Sequence, residues 1–519
     1  MRQPALSPQF SQLLKLALFA TGLSGIVAEY ILATLATYFL GNATLQWTLI
    51  LSVMLFAMGL GSRWSQRMEG NLLRNFILAE FALSLLTSFS ALAVYTATPF
   101  WGSTDILIYG LAVAIGLLIG LEIPLVTRLN SQYELLKENI SSVMANDYYG
   151  SLAGGLFFAF VGLPYLGLTY TPFVLGLINF TVAAMLFYRL RGHLELPTRR
   201  SLALGTLGVF LLLALGLVGA RPLIMYGEQA RYADKVIYQE QSRYQKLVIT
   251  QWKNHYWLYL NGNLQLSTMD EFMYHEPLVH PAMLLQGHPQ RVLILGGGDG
   301  FAVREVLKYP SVEQITLVDL DPAMTALGQT HPALTSYNGH SLDNPKVQVI
   351  NQDGYTFLEE TTDFFDVILI DLPDPKSTDL GRLYSVEMYR MCHRHLTPHG
   401  VLVTQAGSPY YATQAFRCIQ KTMAAAEFAV VPMHNQVLSM GEWGWMLGQK
   451  GMGHADSVRA QLNRMPLPEG MPFRWMTPES LRAITLFGKD IFPVKSVEVN
   501  TVQEPVLHRY YLRGNWEIY

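Results

Sequence analysis

The hydrophobic positions of the first 220 residues form long, nearly unbroken runs, whereas those of the remaining chain form short runs separated by turn residues. The long runs lie at about 13–40, 45–62, 72–95, 105–127, 146–164, 170–190 and 202–220. Most of them reach the roughly 20 residues that an α-helix needs to cross a bilayer. We therefore predict seven membrane spans. The first run is too long, and is followed by too many others, to be a cleaved signal peptide.

Charged residues follow the same division. The chain has 519 residues, of which 14% are charged, against about 25% in an ordinary soluble domain. Only 20 of its 75 charged residues lie in positions 1–220. This predicts a membrane-embedded helical domain that ends near Arg221-Pro222, followed by a soluble part. A net charge of −3 without a basic stripe gives no reason to expect nucleic acid, and Cys392 and Cys418 support neither a disulfide framework nor a zinc site.

Basic residues are confined to every second loop between the hydrophobic runs. The residues concerned are Arg63, Arg67, Arg74, Arg128, Lys137, Arg189, Arg191, Arg199 and Arg200. The intervening loops at 41–44, 96–104 and 165–169 contain no Lys or Arg. By the positive-inside rule the basic loops and the N-terminus are cytoplasmic. Seven spans would then place everything after residue 220 outside the cytoplasm.

Four acidic residues lie within or at the start of these runs: Glu29, Glu80, Glu122 and Asp147. A carboxylate in the hydrocarbon is costly, so it suggests a function such as a cation site or a proton relay. Alternatively, each acid is protonated or bonded to a neighbouring helix and only holds the helices together. No basic partner or repeated motif singles out a path, so both interpretations stay open.

The soluble part shows two further patterns. From 225 to 285, the segments "YQKLVITQW" and "HYWLYLNGNLQLS", with a turn at Asn261-Gly262, predict small β-hairpins. Beyond them, the apolar strands "RVLIL", "QITLVDL", "VQVIN", "FDVILID" and "GVLVTQ" alternate with helical stretches at the spacing of βαβ units. This alternation predicts a doubly wound parallel sheet. We therefore divide the soluble part into a small β subdomain, 221–285, and an α/β domain with a C-terminal extension, 286–519.

Ligands of such sheets bind at the carboxyl ends of the strands. The residues there are Gly296–Gly300, Asp319 and Asp321, Asp353-Gly354, and Asp371–Pro375. Asp319, about twenty residues past the glycine turn, is placed to accept hydrogen bonds from two ribose hydroxyls. Asp353 can accept a hydrogen bond from the exocyclic amine of adenine. Any one of these acids alone is explained equally well as a helix N-cap, but acids after four consecutive strands indicate a nucleoside site.

The acid inside the glycine turn "GGGDG" narrows the choice of ligand. Glycines let a ligand approach the backbone closely, and Asp299 would repel a phosphate or a carboxylate there. The pyrophosphate of NAD needs bare N–H groups at the helix start, so a NAD dehydrogenase fits poorly. S-adenosylmethionine carries a carboxylate, which Asp299 would also oppose. Decarboxylated S-adenosylmethionine instead ends in a propyl-ammonium group, which Asp299 would hold by a charge-assisted hydrogen bond.

Several of these segments together resemble the spermidine synthase (polyamine aminopropyltransferase) family in order and spacing, over about residues 240–450. They are "YQKLVI", "LNGNLQLSTMDEFMYHE", "VLILGGGDGFAVREVLKYPSVEQITLVDLD", "QDGYTFL" and "FDVILIDLPDP". The helical first part resembles that of the membrane-integrated bacterial members, and "GEWGWML" at 441–447 resembles their C-terminal sheet. The resemblance implies a Rossmann-like, methyltransferase-type domain in a homodimer. It also implies an enzyme that moves the aminopropyl group of decarboxylated S-adenosylmethionine to a polyamine, most simply putrescine, and releases methylthioadenosine without a metal.

The resemblance also implies roles for individual residues. Six of them would bind the nucleoside part of the co-substrate: Gln245, Gly296, Gly298, Asp319, Asp353 and Gly354. Asp299 would hold its aminopropyl ammonium. On the acceptor side, Asp371 would take the proton, Asp374 would bind the amine, Tyr244 would line the amine channel and His275 of "YHE" would lie beside the polyamine.

Two departures from the family pattern concern the acceptor. The family often has a proline three residues after "DP", whereas this chain has Thr378 in a slightly longer loop. A tyrosine that commonly precedes the last sheet motif and helps to hold the far end of the diamine is replaced by Leu438 or Ser439. The acceptor is therefore left open between putrescine and other di- or triamines.

The co-substrate bears on localisation, which we expect to be the bacterial inner membrane. Decarboxylated S-adenosylmethionine is made in the cytoplasm and, being charged, does not cross membranes unaided. We therefore expect the catalytic domain to face the cytoplasm, which requires one run not to span. The run at 146–164 is the weakest, because it follows Asn146 and Asp147, contains four glycines and ends at Pro164.

A different class of function also fits the membrane half. The intramembrane acids would suit a transporter or sensor whose soluble domain binds polyamine or nucleoside without catalysis. The intact pair Asp371 and Asp374, together with Gln245, favours the enzyme.

Overall fold

The computed structural model describes residues 8–41, 43–101, 103–131, 136–451, 453–488 and 496–516. It divides into two compact units, Met1–Val236 and Ile237–Tyr519. The last helix of the first unit continues through Arg221-Pro222, where we predicted a boundary, and ends at Gln229. The predicted α/β domain falls within the second unit, whereas residues 221–236 of the predicted small β subdomain belong to the first unit. The division between the two soluble domains stays a prediction. Residues 1–7 of the predicted membrane domain lie outside the described residues.

Long helices make up the described part of the first unit. They are α1 (Pro8–Leu40), α2 (Ala43–Ser65), α3 (Leu72–Ala97), α4 (Thr104–Asn130), α5 (Leu136–Phe157), α6 (Gly167–Leu190) and α7 (Leu196–Gln229). A π-helix, Phe158–Leu166, joins α5 to α6, and a 3-10 turn, Arg191–His193, precedes α7. Six stretches are long and apolar enough to cross a membrane by length and composition, and one of them, Lys137–Leu190, is 54 residues long. That stretch contains two of the seven predicted spans.

The chain reverses direction within this 54-residue stretch. Helix α5 runs parallel to α1, and α6 runs antiparallel to α3. The contacts that show these directions are Gly22 with Asp147, Gly154 with Ile26, Phe81 with Phe180, and Phe89 with Phe173. Helices α1 and α3 are parallel, because their first halves share one apolar cluster and their second halves share another. Pro164 in the π-helix and Gly167, whose φ is +60°, lie where the reversal occurs.

Helix α5 approaches α1 closely through glycines. A Cβ atom on Gly150 would lie 2.0 Å from the carbonyl oxygen of Phe19, and one on Gly154 would lie 2.4 Å from that of Leu23. Small residues at such positions let two helix backbones pack together where the hydrophobic effect cannot drive association. Two of the four glycines of the 146–164 run, Gly150 and Gly154, are therefore explained by helix packing.

Three of the four acids singled out in the apolar runs lie inside the helical unit. Glu29, Glu80 and Glu122 are buried. Both carboxyl oxygens of Glu80 and one of Glu122 have no hydrogen-bond partner among the described residues. The structure thus shows no basic partner for Glu80, and the cation-site and scaffold interpretations both stay predictions.

A small sheet in the order β1-β2-β3-β4 follows the long helices, and its strands β2, β3 and β4 pair in antiparallel fashion. Its strands are β1 (Lys235–Gln241), β2 (Lys246–Trp252), β3 (His255–Leu260) and β4 (Asn263–Ser267). The turn between β3 and β4 has positive φ at both Asn261 and Gly262. These are the dihedrals that a two-residue hairpin turn of type I′ requires, so the Asn-Gly pair forms the turn that its sequence indicates.

A seven-stranded sheet forms the centre of the second unit, in the order β10-β11-β9-β8-β5-β6-β7. Its strands are β5 (Arg291–Gly296), β6 (Gln314–Asp319), β7 (Val347–Asn351), β8 (Phe365–Asp371), β9 (Leu396–Gly407), β10 (Ala429–Val437) and β11 (Gly441–Gln449). Strands β5 to β9 are parallel, and β10 and β11 extend the sheet in antiparallel fashion. The predicted parallel sheet is confirmed, and β9 begins four residues before the predicted run.

Helices precede, connect or follow these strands. They are α8 (Phe272–Gln286), α9 (Phe301–Val306), α10 (Pro322–Thr330), α11 (Pro332–Asn338), α12 (Gly354–Glu360), α13 (Thr378–Arg382), α14 (Val386–His395), α15 (Thr413–Ala425), α16 (Ala455–Leu462), α17 (Pro478–Ala483) and α18 (Leu507–Leu512), with a 3-10 turn at Ser341–Asp343. The sheet is covered on both faces, since Val292 and Ile294 of β5 belong to one apolar cluster and Leu293 and Leu295 to another. Burial on both faces explains why these strands are continuous apolar runs.

Candidate active site

The glycine turn after β5 has a conformation that only glycine adopts easily. Gly296 and Gly297 both have positive φ, and a Cβ atom on Gly296 would lie 2.1 Å from the carbonyl oxygen of Asp371. This closeness follows from the sheet, in which β5 and β8 are neighbours and Gly296 is opposite Asp371. Gly300, in the left-handed region, precedes α9. The turn thus brings Asp299 to the carboxyl edge of β8, as the motif predicts.

Three chemically active side chains meet at this edge. One ligand atom from each of His275, Asp299 and Asp371 lies within 4.8 Å of those of the other two. His275 comes from the first turns of α8, and its Nε2 is 4.0 Å from Oδ2 of Asp371. Its ring stacks on Phe301 of α9, with ring centroids 5.4 Å apart. The cluster therefore joins α8, the glycine turn and the end of β8.

A tyrosine that sequence reasoning missed is bound to Asp371. The hydroxyl of Tyr274 donates a 2.7 Å hydrogen bond to Oδ1 of Asp371. Tyr244, which we expected to line the amine channel, is 45% exposed, and its hydroxyl makes no hydrogen bond to the described residues. The signal for Tyr274 was present in the sequence, because it directly precedes His275 in "YHE".

His275 carries a positive charge at neutral pH. Burial disfavours that charge, but the hydrogen bond to Glu271 and the charges of Asp299, Glu271 and Asp371 outweigh it and raise the pKa of His275 to about 9. Burial raises the pKa of Asp299 to about 6 and also raises the pKa of Asp371, although His275 opposes both shifts. A protonated imidazole has no lone pair for a metal. In this cluster His275 is itself the cation that the two carboxyl groups face.

Glu271 holds His275 in place. Its side chain is fully buried, and Nδ1 of His275 lies 3.2 Å from Oε2 and 2.8 Å from the Glu271 carbonyl oxygen. Both terminal nitrogens of Arg304 donate to Glu271 at 3.1 and 2.8 Å, and Arg474 donates at 3.0 Å. Burial alone would raise the pKa of Glu271, but His275 and Arg304 lower it. Glu271 therefore stays ionised and directs Nε2 of His275 towards Asp371.

The end of β6 forms a second group of acids. Asp319 accepts hydrogen bonds from the backbone N–H groups of Gly298 at 3.1 Å and Asp321 at 2.9 Å. Burial raises its pKa to about 6, against the effect of these bonds. Gln245 from the small sheet reaches this edge, where its Nε2 donates to Oδ2 of Asp321 at 3.0 Å. The structure thus joins Gln245 to Asp321 and places both beside Asp319 and the glycine turn.

Asp353, which we expected to bind adenine, has partners within the protein. Its Oδ1 caps α12 by accepting from the backbone N–H of Thr356 at 3.0 Å, and its Oδ2 pairs with Arg382 at 2.9 Å. The helix N-cap that the sequence offered as an alternative is therefore formed. Gly354 is the first residue of α12. An adenine-binding role for these two residues stays a prediction.

Asp374 lies in a separate cluster of polar and aromatic side chains. Its Oδ2 accepts a 2.6 Å hydrogen bond from Tyr511, and Nε2 of Gln405 is 3.5 Å from its Oδ1. Gln405 also donates to the hydroxyl of Tyr384 at 2.6 Å. Burial raises the pKa of Asp374, and Lys376, with Nζ 3.9 Å from Oδ2, opposes that shift. Gln405 near the end of β9 was detectable from its strand-end position, whereas nothing in the sequence indicated Tyr511.

Comparison with known proteins gives the following similarities. The family model of the spermine/spermidine synthase domain matches residues 271–453. Polyamine aminopropyltransferase 2 of Aquifex aeolicus is 41% identical over 97% of this chain and 99% of its own. Polyamine aminopropyltransferase of Leptospira interrogans is 38% identical over 94% of this chain and 96% of its own. A solved spermidine synthase in complex with the transition state analogue AdoDATO is 26% identical, with a TM-score of 0.44 over 50% of this chain and 87% of that chain.

The charge of His275 makes stability depend on pH in a predictable direction. Because its folded pKa of about 9 lies above the unfolded value of about 6.5, its stabilisation is complete below pH 6.5 and is lost as the pH rises through 9. We predict that the melting temperature of the purified protein falls over this range and falls less in His275→Gln. The difference between the folded and unfolded pKa values of His275 corresponds to about 3 kcal/mol of stabilisation. His288→Gln, at an exposed position, should keep the wild-type slope, and an equal slope in His275→Gln would contradict the prediction.

Proposed function

Since the chain belongs to the polyamine aminopropyltransferase (spermidine synthase) family, we propose that it moves the aminopropyl group of decarboxylated S-adenosylmethionine to putrescine. The products would be spermidine and methylthioadenosine. The observation that carries this proposal is the cluster of Asp371, Tyr274, His275 and Asp299 at the meeting point of β5 and β8. It offers a carboxyl group for the amine next to a carboxyl group for the aminopropyl ammonium.

We assign the donor to the edge formed by β5, β6 and β7. Asp319 at the end of β6 would bind the ribose hydroxyls, and its position beside Gly298 supports this role. Gly296 and Gly298 would let the nucleoside approach the backbone. Asp353 and Gly354 would face the adenine, and Gln245 the thioadenosine part. Asp299 would hold the ammonium of the aminopropyl group, because it lies in the turn that the nucleoside must approach.

The reaction requires the acceptor amine to lose a proton. An alkyl ammonium has a pKa near 10 and has no free electron pair at neutral pH. As that proton passes to Asp371, the nitrogen lone pair forms a bond to the aminopropyl carbon. The carbon–sulfur bond breaks at the same time, and its electron pair stays on sulfur, which neutralises the sulfonium and releases methylthioadenosine. Alignment of nitrogen, carbon and sulfur would supply most of the acceleration.

Tyr274 and His275 tune Asp371 for this step. The charge of His275 and the hydrogen bond from Tyr274 both favour the ionised carboxylate, which can accept a proton, while burial favours the protonated form. These opposing effects leave the pKa of Asp371 above its ordinary value. A base whose pKa is raised towards the working pH is more effective in proton transfer.

One experiment tests the proposed reaction and the role of Asp371 together. Full-length wild-type protein, supplied with putrescine and decarboxylated S-adenosylmethionine, should release methylthioadenosine. Asp371→Asn should lose turnover by roughly a hundredfold or more but should still bind the donor in calorimetry, since an amide cannot accept the proton. Asp366→Asn, on the same strand β8 but at its other end, is the matched control and should keep turnover.

Two outcomes would contradict the proposal in different ways. Wild-type turnover in Asp371→Asn would remove that residue from the role of base. Absence of methylthioadenosine from the wild type with every di- and triamine supplied would contradict the reaction itself. That result would favour a transporter or sensor that only binds polyamine or nucleoside.

The role of Asp299 makes a second prediction about selectivity between ligands. Asp299→Asn should weaken binding of decarboxylated S-adenosylmethionine by about tenfold or more. It should weaken binding of S-adenosylmethionine less, because the carboxylate of that ligand is repelled by the wild-type Asp299. Calorimetry with both ligands on wild type and variant measures the difference, and equal losses for the two ligands would refute the assignment.

We propose that the helical unit lies in the inner membrane and that the second unit faces the cytoplasm, where the donor is made. The apolar stretches of the first unit support membrane insertion. The cytoplasmic side conflicts with the positive-inside rule if all of α1 to α7 cross, and the alternating helix directions favour seven crossings. The segment from α5 into the π-helix is our candidate for a stretch that does not cross fully, because Tyr148 and Tyr149 are exposed and Pro164 interrupts it.

A reporter fused after Tyr519 decides between these arguments. A phosphatase that is active only in the periplasm should be inactive when it is fused after Tyr519. A reporter that is active only in the cytoplasm should be active at the same position. The same reporters placed after Gly70, in a basic loop, calibrate the assay. Periplasmic activity after Tyr519 would show that our argument from co-substrate supply is wrong, and the buried Glu80 and Glu122 would become candidates for moving a cation across the membrane.

A further inference from the structure

The short C-terminal helix α18 brings a buried hydroxyl group to the acid that we assign to the acceptor amine. Tyr511 is 3% exposed, and its hydroxyl donates a 2.6 Å hydrogen bond to Oδ2 of Asp374. Trp516 packs against the Tyr511 ring at a centroid distance of 4.6 Å, with the rings tilted by 34°, and donates from Nε1 to the Tyr511 carbonyl oxygen at 2.7 Å. The position of this hydroxyl is therefore set by the packing of Trp516 against the ring and by the hydrogen bond to Asp374.

The segment that carries Tyr511 is tied to the loop that follows Asp374. Asn500, which is fully buried, donates from Nδ2 to the carbonyl oxygens of Gly381 and Tyr384 at 2.8 and 3.1 Å. Its Oδ1 accepts from the backbone N–H groups at the start of α18 at 3.1 and 3.2 Å. The Asn500 side chain thus connects α18 to the loop that follows Asp374. The whole segment lies beyond residues 271–453, which the family model matches.

The turn between β10 and β11 lacks the tyrosine that the family pattern has there. Of the two residues that replace it, the side chain of Leu438 is 64% exposed. Ser439 is bonded to Asp270, to which its backbone N–H and its hydroxyl donate at 2.6 and 2.9 Å. Neither residue contacts Asp374 in the described part of the chain. The phenol group that contacts this acid belongs to Tyr511, on the C-terminal helix α18.

The groups around Asp374 leave one oxygen for a substrate ammonium. Tyr511 occupies Oδ2, and Lys376 lies 3.9 Å from the same oxygen, with its Nζ bonded to Asn263 at 2.6 Å. At Oδ1 the contact is the long one of 3.5 Å from Gln405. Because the hydrogen bond from Tyr511 fixes Oδ2 of the carboxylate, the direction in which Oδ1 points is also fixed. Under the proposed function, the separation between Asp371 and Asp374 would set the distance between the two amines of the acceptor.

We propose that Tyr511 is a positioning residue for acceptor specificity, which replaces the missing tyrosine of the β10–β11 turn and holds Asp374 in the orientation that binds the distal ammonium of a diamine. This inference rests on the proposed function, because it takes Asp374 as the amine-binding acid. A charged hydrogen bond that directs a buried carboxylate contributes more than a neutral one. Loss of the hydroxyl frees Asp374 to turn, which weakens binding of the matching diamine more than that of a longer one.

The test uses full-length Tyr511→Phe, which removes one oxygen atom and keeps the ring. The KM for putrescine should rise by about tenfold or more, while kcat and the KM for the donor stay within about twofold. The preference for putrescine over cadaverine, which is one methylene longer, should fall. Tyr510→Phe is the matched control on the same helix, because the Tyr510 hydroxyl lies at the Glu498 backbone N–H instead, and it should behave as the wild type does.

The outcomes separate this inference from the function on which it rests. If Tyr511→Phe matches Tyr510→Phe in putrescine KM and in amine preference, the positioning role is refuted. If Tyr511→Phe lowers kcat and donor affinity as much as amine affinity, its role is general support of the fold, and the proposal fails. If the wild type itself forms no methylthioadenosine, the proposed function fails, and calorimetry of putrescine binding to the same variants tests Tyr511 alone. Trp516→Phe keeps the Tyr511 hydroxyl but weakens the contact with the Tyr511 ring, so it should raise the putrescine KM less than Tyr511→Phe does. This variant replaces Tyr511→Phe in the test if Tyr511→Phe is not recovered folded.

Discussion

The second unit brings two largely buried carboxyl groups, those of Asp299 and Asp371, together at one edge of its sheet, where both face the positive charge of one imidazolium. His275 faces Asp299 and Asp371, and the ionised Glu271 behind it, held by Arg304 and Arg474, keeps it charged. Without this charge two buried acids would face each other unpaired, at a cost of several kcal/mol. Helix α8, the glycine turn and the end of β8 each contribute one side chain to this cluster.

In our proposal, donor and acceptor are held by different elements. The donor edge is made by β5, β6 and their turns, which are rigid because the strands are buried on both faces. The acceptor side is made by the loop after β8 and by α18, which Asn500 ties together. Tyr511, on α18, lies outside residues 271–453, which the family model matches, whereas the loop after β8 lies within them.

Residue types that depend on short-range geometry were predictable from the sequence. The glycine turn, the Asn261-Gly262 hairpin and the acids after β5, β6 and β8 lie where the pattern placed them, because strand periodicity and positive-φ turns are local properties. Tyr274 shows the limit of this reasoning. Sequence reasoning did not name it, although its hydroxyl donates to Asp371, and the expectation that Tyr244 lines the amine channel stays a prediction. Asp353 likewise takes the local N-cap role and a partner, Arg382, that no motif indicated.

The sequence by itself determined the long apolar helices, the order of strands and helices, and the family, since these depend on hydrophobic periodicity and on motifs of adjacent residues. Only the tertiary structure decided which side chains meet: His275 with Asp299 and Asp371, Gln245 with Asp321, and Tyr511 with Asp374. The reason is that these pairs are separated by 24 to 137 residues. Their meeting depends on how helices and strands pack together, a property that no local pattern in the chain contains.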